Sequence, residues 1–112
     1  MRVSILDIQK MKDVGQPIPT ITAYDAASAR LVEGTDIPLI LVGDSLGMVF
    51  QGNETTISVT LDEMIYHGRA VVRATQRALI VVDLPFMSYK ISPEQALTSA
   101  AQVMQGTGAS AI

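Results

Sequence analysis

Two aspartates stand where apolar runs end, Asp44 after Leu39-Ile40-Leu41-Val42-Gly43 and Asp83 after Leu79-Ile80-Val81-Val82. A carboxylate at the C-terminal end of a buried parallel strand sits where α/β proteins place ligand and metal chemistry. The strand fixes its position and the next loop opens a cleft. The two are 39 residues apart, one β/α unit plus a long loop, so neighbouring strands would bring both carboxylates to one rim. Uncompensated carboxylates repel, and a shared proton or a divalent cation relieves them. No lysine or arginine adjoins either residue in sequence, and an oxygen-only ligand set favours the hard ion Mg²⁺. The competing reading is local: Asp44 caps the turn at Ser45, and Asp83 hydrogen-bonds within its own loop. The residues alone leave both open.

Lesser candidates surround this pair. Ser45 could take a ligand carboxylate through its hydroxyl and backbone amide, or cap a short helical turn, and without family knowledge the cap is preferred. Tyr24 and Asp25 could line the same rim, although capping explains Asp25 equally well. His67 falls in mid-helix with no second base or nucleophile near it in sequence, and reads as a surface or packed helix residue. Met48, Phe50, Met64 and Met87 read as apolar packing or pocket lining. The spacing of Gly43, Gly47 and Gly52 is not a phosphate-binding fingerprint, and no P-loop lysine follows it, which argues against nucleotide binding.

The elements that must position these residues alternate. Ser4 caps an amphipathic helix carrying Ile5, Ile8 and Met11, which Gly15 stops. Pro17 and Pro19 exclude a helix, and the β-branched run Ile18 to Tyr24 reads as the first strand. Asp25 can cap a helix over Ala26 to Glu33, ended by Gly34. Pro38 starts the second strand, Leu39 to Val42. The stretch from Ser45 to Thr56 has no sustained period and reads as a long loop of the kind that is often functional. Thr60-Leu61-Asp62-Glu63 is a capping box opening a helix to about Thr75, with Arg69, Arg73 and Arg77 towards its C-terminal half, where the macrodipole favours cations. Ala78 to Val82 is the third strand. Ser92-Pro93-Glu94-Gln95 opens a helix through Gln105, stopped by Gly106, and Gly108 to Ile112 reads as the entry to a fourth strand. Short apolar strands separated by helices imply a parallel sheet covered by helices. A last strand with no helix to cover it suggests the front part of a longer barrel, and three and a bit units are under half of the ~250 residues an eight-unit barrel needs.

Composition narrows the function classes. The chain has 112 residues, 48% hydrophobic and 17% charged, which indicates one packed domain or part of one. A net charge of -3 and a pI near 4.9 give no basic footprint, so neither nucleic acid nor an anionic membrane is an expected partner. The absence of cysteine removes disulfides, thiolate nucleophiles and thiolate metal sites, and suits a reducing cytoplasm. The N-terminal stretch lacks the apolar core of a signal peptide, and no run approaches the ~20 apolar residues of a membrane span.

Three segments, Thr22-Ala23-Tyr24-Asp25, Val42-Gly43-Asp44-Ser45-Leu46-Gly47-Met48-Val49 and Asp83-Leu84-Pro85-Phe86-Met87-Ser88-Tyr89, in this order and spacing, closely resemble the N-terminal half of the ketopantoate hydroxymethyltransferase family. The resemblance runs over nearly the whole chain. It implies a (β/α)8 TIM barrel of the phosphoenolpyruvate/pyruvate type, with residues 1–112 its N-terminal portion and a short N-terminal helix closing the base. It implies transfer of a hydroxymethyl group from 5,10-methylenetetrahydrofolate to 3-methyl-2-oxobutanoate, giving 2-dehydropantoate, in pantothenate biosynthesis. By motif, Asp44 and Asp83 correspond to Mg²⁺ ligands, and Asp44, Ser45 and Asp83 to contacts with the 2-oxo acid. The cation would act as a Lewis acid favouring an enolate that attacks the one-carbon unit. The resemblance also implies a cytoplasmic homo-oligomer, decameric in the family. The family's Lys-x-Glu motif after the fourth strand and its general base would lie beyond Ile112, so no catalytic base is expected in this segment, and the segment alone is expected to be inactive. Two alternatives stand beside this reading: another Mg²⁺-dependent carbon–carbon lyase of the same barrel group acting on 2-oxo acids, and a non-catalytic piece that needs the remaining chain.

Overall fold

Side-chain caps set the start of four of the five helices in the computed structural model, which describes residues 1–112. Helix α1 (Ile5–Asp13) opens on Ser4 with a full capping box to Asp7, and α2 (Ala26–Glu33) on Asp25, whose carboxylate accepts from the Ser28 N–H. Helix α4 (Leu61–Ala74) opens on the Thr60/Glu63 capping box, and α5 (Pro93–Thr107) on Ser92 with Pro93 in its first turn. Each cap satisfies amides that the first helical turn would leave unpaired. The strands are β1 (Thr20–Thr22), β2 (Leu39–Val42) and β3 (Leu79–Val82), and a short helix α3 (Leu46–Val49) follows β2.

Several boundaries differ from the sequence expectation, the smallest being the third strand, which starts at Leu79 and not Ala78. Strand β1 is confined to three exposed residues inside the expected Ile18 to Tyr24, because Pro17 and Pro19 lack the N–H that strand pairing uses. The expected loop after Asp44 contains α3, whose Leu46 and Gly47 are buried. Helix α5 passes Gly106 and ends one residue later, where Gly108 adopts φ +79. That left-handed conformation suits glycine at a helix end.

The three strands form a parallel sheet in the order β1-β2-β3, with Thr22 opposite Leu41 and Val42 opposite Val82. Beyond β3, Ala111 forms a parallel bridge to Val81 and its carbonyl accepts from the Val82 N–H at 3.2 Å, so the fourth strand is present as a single bridge. Sequential parallel neighbours joined by helices make this a β/α architecture. Ile40, Val42, Leu46, Met64, Ile80, Val82, Val71 and Val103 form the buried core between sheet and helices. Fully burying an aliphatic side chain of this size contributes about 1.5–3 kcal/mol. Helices α4 and α5 meet closely at Gly68, where a Cβ would come within 2.8 Å of Thr107 Cγ2.

The end of the sheet opposite Asp44 and Asp83 is tied by polar contacts. Arg2 donates from its guanidinium to Thr75 Oγ1 (3.1 Å), the Ala78 carbonyl (2.6 Å) and the Thr75 carbonyl, and the Val3 N–H donates to the Arg77 carbonyl (2.7 Å). Glu33 accepts from the N–H groups of Gln76 (2.7 Å), Arg77 and Ala78 (3.3 Å), holding the segment that enters β3. Helix α1 lies beyond this clasp and buries none of its own residues. Arg73 occupies the last turn of α4 as expected, whereas Arg77 lies past that helix and donates to the Ile37 carbonyl at 2.9 Å.

Candidate functional site

The parallel register that sets Val42 beside Val82 delivers the residues after both strands to one rim. There Asp83 Oδ2 accepts the backbone N–H of Asp44 at 3.2 Å, and the Asp83 N–H donates to the Val42 carbonyl at 3.0 Å. Asp83 therefore reaches across to the neighbouring strand, and the reading in which it serves only its own loop is set aside. Between the strands stands Gly43, at which a Cβ would lie 3.0 Å from Asp83 Oδ2 and 3.3 Å from Ser45 Oγ. The missing side chain lets the carboxylate and the hydroxyl share that space.

Burial pushes the Asp83 carboxyl above its ordinary range; the Asp44 N–H bond opposes this, and the charge of Asp44 adds to it. A bound cation would relieve both the burial and the like charge. The chain holds no group of three or more His, Cys, Asp or Glu side chains arranged around a common point. Two carboxylates nevertheless fit Mg²⁺, which retains several waters and commonly takes one or two protein carboxylates together with ligand oxygens.

Ser45 precedes α3 in an αR conformation and makes no side-chain cap, so the capping expectation fails for it. Its Oγ instead lies 2.7 Å from the Tyr24 hydroxyl. Tyr24 is thus brought to the rim, while Asp25 is spent on α2: its carboxylate accepts from the Ser28 N–H at 2.7 Å, a bond that holds it below the usual carboxylate range. His67 is the packed alternative of the sequence reading, buried on α4 with Nδ1 2.7 Å from the Tyr24 carbonyl. Met64 is core as read, and Phe50, though exposed, packs edge-on against His67, whereas Met48 and Met87 are exposed and lie outside both the core and the cavity lining.

The loop after Asp83 is fixed by α5. The Ser99 hydroxyl donates to the Ser88 carbonyl (2.6 Å), Gln95 Nε2 donates to the Met87 carbonyl (2.8 Å), and Gln95 Oε1 accepts from the Ile91 N–H (2.9 Å). Met87 is held at φ +63, which a residue with a side chain seldom adopts. Beside it, Asp83, Leu84, Tyr89 and Ile112 line an open cavity of about 300 Å³. An acidic rim against an apolar wall can bind a cation and a small ligand that carries both oxygen ligands and an aliphatic part. Tyr24, Gln95 and Ser99 acquire their roles from partners distant in sequence. The only early signal was the position of Tyr24 at a strand end.

Residues 2–112 match the family model described as ketopantoate hydroxymethyltransferase. The chain is 57% identical over 112 residues to the 3-methyl-2-oxobutanoate hydroxymethyltransferase of Chloroflexus aurantiacus, covering 100% of this chain and 40% of that protein. It is 57% identical over 111 residues to the enzyme of that name from Magnetococcus marinus, covering 99% and 41%. For the enzyme of that name from Dehalococcoides mccartyi the identity is 48% over 112 residues, covering 100% and 40%. The chain thus spans about 40% of the length of the curated relatives it matches. With strand ends, motifs and the match over residues 2–112 in agreement, the chain belongs to the ketopantoate hydroxymethyltransferase family.

Proposed function

We propose that residues 1–112 form the first part of a (β/α)8 barrel and that the complete protein transfers a hydroxymethyl group from 5,10-methylenetetrahydrofolate to 3-methyl-2-oxobutanoate, giving 2-dehydropantoate. The observation that carries this reading is the meeting of Asp44 and Asp83 at adjacent parallel strand ends. It is supported by the family match and by the printed names of the relatives.

In this reading Asp44 and Asp83 hold a Mg²⁺ ion. When bound, the ion supplies Lewis acidity to the keto and carboxylate oxygens of the 2-oxo acid, making its C3 proton easier to remove. Asp83, buried beside a like charge, is a ligand whose ionised form the ion would stabilise. Ser45 binds the ligand carboxylate, and Asp44 and Asp83, their charge offset by the ion, would line the same rim against the 2-oxo acid. The apolar wall of Leu84 and Tyr89 gives the aliphatic end a surface to pack on. No residue of this segment is assigned the general base. The proposal extends to a cytoplasmic homo-oligomer, the cysteine-free sequence being compatible with a reducing compartment.

The test is exchange of the C3 proton of 3-methyl-2-oxobutanoate into D₂O, followed by proton NMR with the complete protein and Mg²⁺. Asp44→Asn and Asp83→Asn, which keep side-chain shape, should each slow the exchange by about a hundredfold or more, the scale of losing one electrostatic stabiliser. Normal exchange in both folded variants would reject the chelating role.

A further inference from the structure

We propose that Tyr24 is a positioning residue for ligand binding: its phenolic O–H donates to Ser45 Oγ and so directs the single Ser45 proton towards an anionic ligand at the rim. The inference rests on the reading above, in which that ligand is a 2-oxo acid.

Ser45 stands where a helix N-cap would stand, with φ -55 and ψ -15, yet its hydroxyl does not bond the amides of α3. Its partner is the Tyr24 hydroxyl at 2.7 Å. The distance permits either direction of donation, but chemistry distinguishes them. A serine hydroxyl has one proton and can accept as well as donate. If Ser45 donated to Tyr24, it would present only lone pairs to a carboxylate and would repel it. If Tyr24 donates, Ser45 keeps its proton for the anion, and the phenol, the more acidic hydroxyl, is the natural donor. Ser45 Oγ and Asp83 Oδ2 both crowd the bare face of Gly43, at 3.3 Å and 3.0 Å from where a Cβ would be, so the hydroxyl stands at the same rim as the carboxylates.

Tyr24 is itself held at two points. Its ring packs against the buried core, and its carbonyl lies 2.7 Å from His67 Nδ1. A carbonyl only accepts, so His67 carries its proton on Nδ1. His67 is itself buried and set edge-on to Phe50 at 5.0 Å and Tyr66 at 5.3 Å between ring centroids. A rigid route thus runs from α4 through His67 and Tyr24 to the hydroxyl at the start of α3. Preorganised donors of this kind reduce the ordering that a ligand must otherwise impose.

The experiment uses the complete protein and 3-methyl-2-oxobutanoate, with affinity read by titration calorimetry in the absence of the one-carbon donor and with KM and kcat read in the full reaction. Tyr24→Phe keeps the ring and removes the donor. It should raise Kd and KM for the 2-oxo acid about five- to tenfold, the worth of one hydrogen bond, with a smaller change in kcat and an unchanged melting temperature. Ser45→Ala should raise them at least as much, and Tyr24→Phe added to Ser45→Ala should change nothing further, because the donor then has no acceptor to orient. Unchanged Kd in Tyr24→Phe, a fall in kcat alone, or additive effects in the double variant would overturn the positioning role while leaving the hydroxymethyltransferase reading intact. A parent protein that binds no 2-oxo acid, or a Ser45→Ala variant with parental Kd, would instead sink the reading on which the inference rests, and the inference with it.

Discussion

Replacing Gly47 with alanine tests how tightly α3, and with it Ser45, is docked. A Cβ at this position would lie 2.4 Å from Val59 Cγ2. An ordinary carbon–carbon contact is about 3.5–4.0 Å, so one partner must retreat by about 1 Å or more. Val59 is the poorer candidate to move: it belongs to the buried core, and its β-branched side chain is stiff about χ1. The helix shifts instead. Overpacking of this kind costs about 1–3 kcal/mol. An approach as close as 2.4 Å belongs in the upper part of that range, about 2–3 kcal/mol, and alanine returns up to about 1 kcal/mol in helix propensity, leaving a net loss of about 1–2 kcal/mol. Denaturant unfolding of the complete protein measures it. Val59→Ala removes the clashing methyl and by itself costs about 2 kcal/mol. The double variant should be no less stable than Val59→Ala alone, whereas independent effects would add. Because α3 carries Ser45 at its start, Gly47→Ala should also raise KM for the 2-oxo acid, and the double variant should recover it. Strict additivity, or a Gly47→Ala protein as stable as the parent, would refute the packing argument.

Two further outcomes concern pH. The folded pKa of Asp83 lies above its unfolded value near 3.8, so ionising it costs stability as pH rises through that interval, and the cost persists at neutrality. Without divalent cation, Asp83→Asn should melt higher than the parent at about pH 7 and equally near pH 3, while losing Mg²⁺ affinity; a lower melting temperature at neutral pH would contradict this. At Glu33 burial pulls the carboxyl upward, but the N–H bonds of Gln76, Arg77 and Ala78 and the Arg77 charge outweigh it, and its folded pKa lies below 4.5. Its stabilisation is present above the unfolded pKa and lost as pH falls through the folded one. Glu33→Gln should therefore lower the melting temperature at about pH 7, with the difference closing towards pH 3, and a gap that persists in acid would show that charge is not the cause.

What the sequence made legible was local. Ser4, Asp25, Thr60 and Ser92 announce their helices because capping is a contact within three residues. The apolar runs before Asp44 and Asp83 identify β2 and β3, and adjacency in a parallel sheet then brings the carboxylates to one rim without further information. Helix α3 was hidden because Gly47 and the β-branched Val49 are weak helix formers, and its support comes from tertiary burial of Leu46. The role of Ser45 depends on Tyr24, 21 residues earlier, and that of Tyr24 on His67, 43 residues later. No spacing rule links such partners. Gly106 looked like a helix stop because glycine often is one, yet it sits inside α5 with Ile65 Cγ2 2.7 Å from where a Cβ would be.

The clasp at the foot of the sheet bears on the order in which the protein takes shape during synthesis. Arg2 is made well before its partners Thr75 and Ala78, which follow 73 and 76 positions later. At roughly 5–20 residues per second, translation separates them by about 4–15 seconds. Helix α1, with no buried residue of its own, has little to hold it during that interval. The Arg2 clasp can therefore close only once the third strand has begun to emerge, and until then the segment ahead of β1 has no partner to dock on.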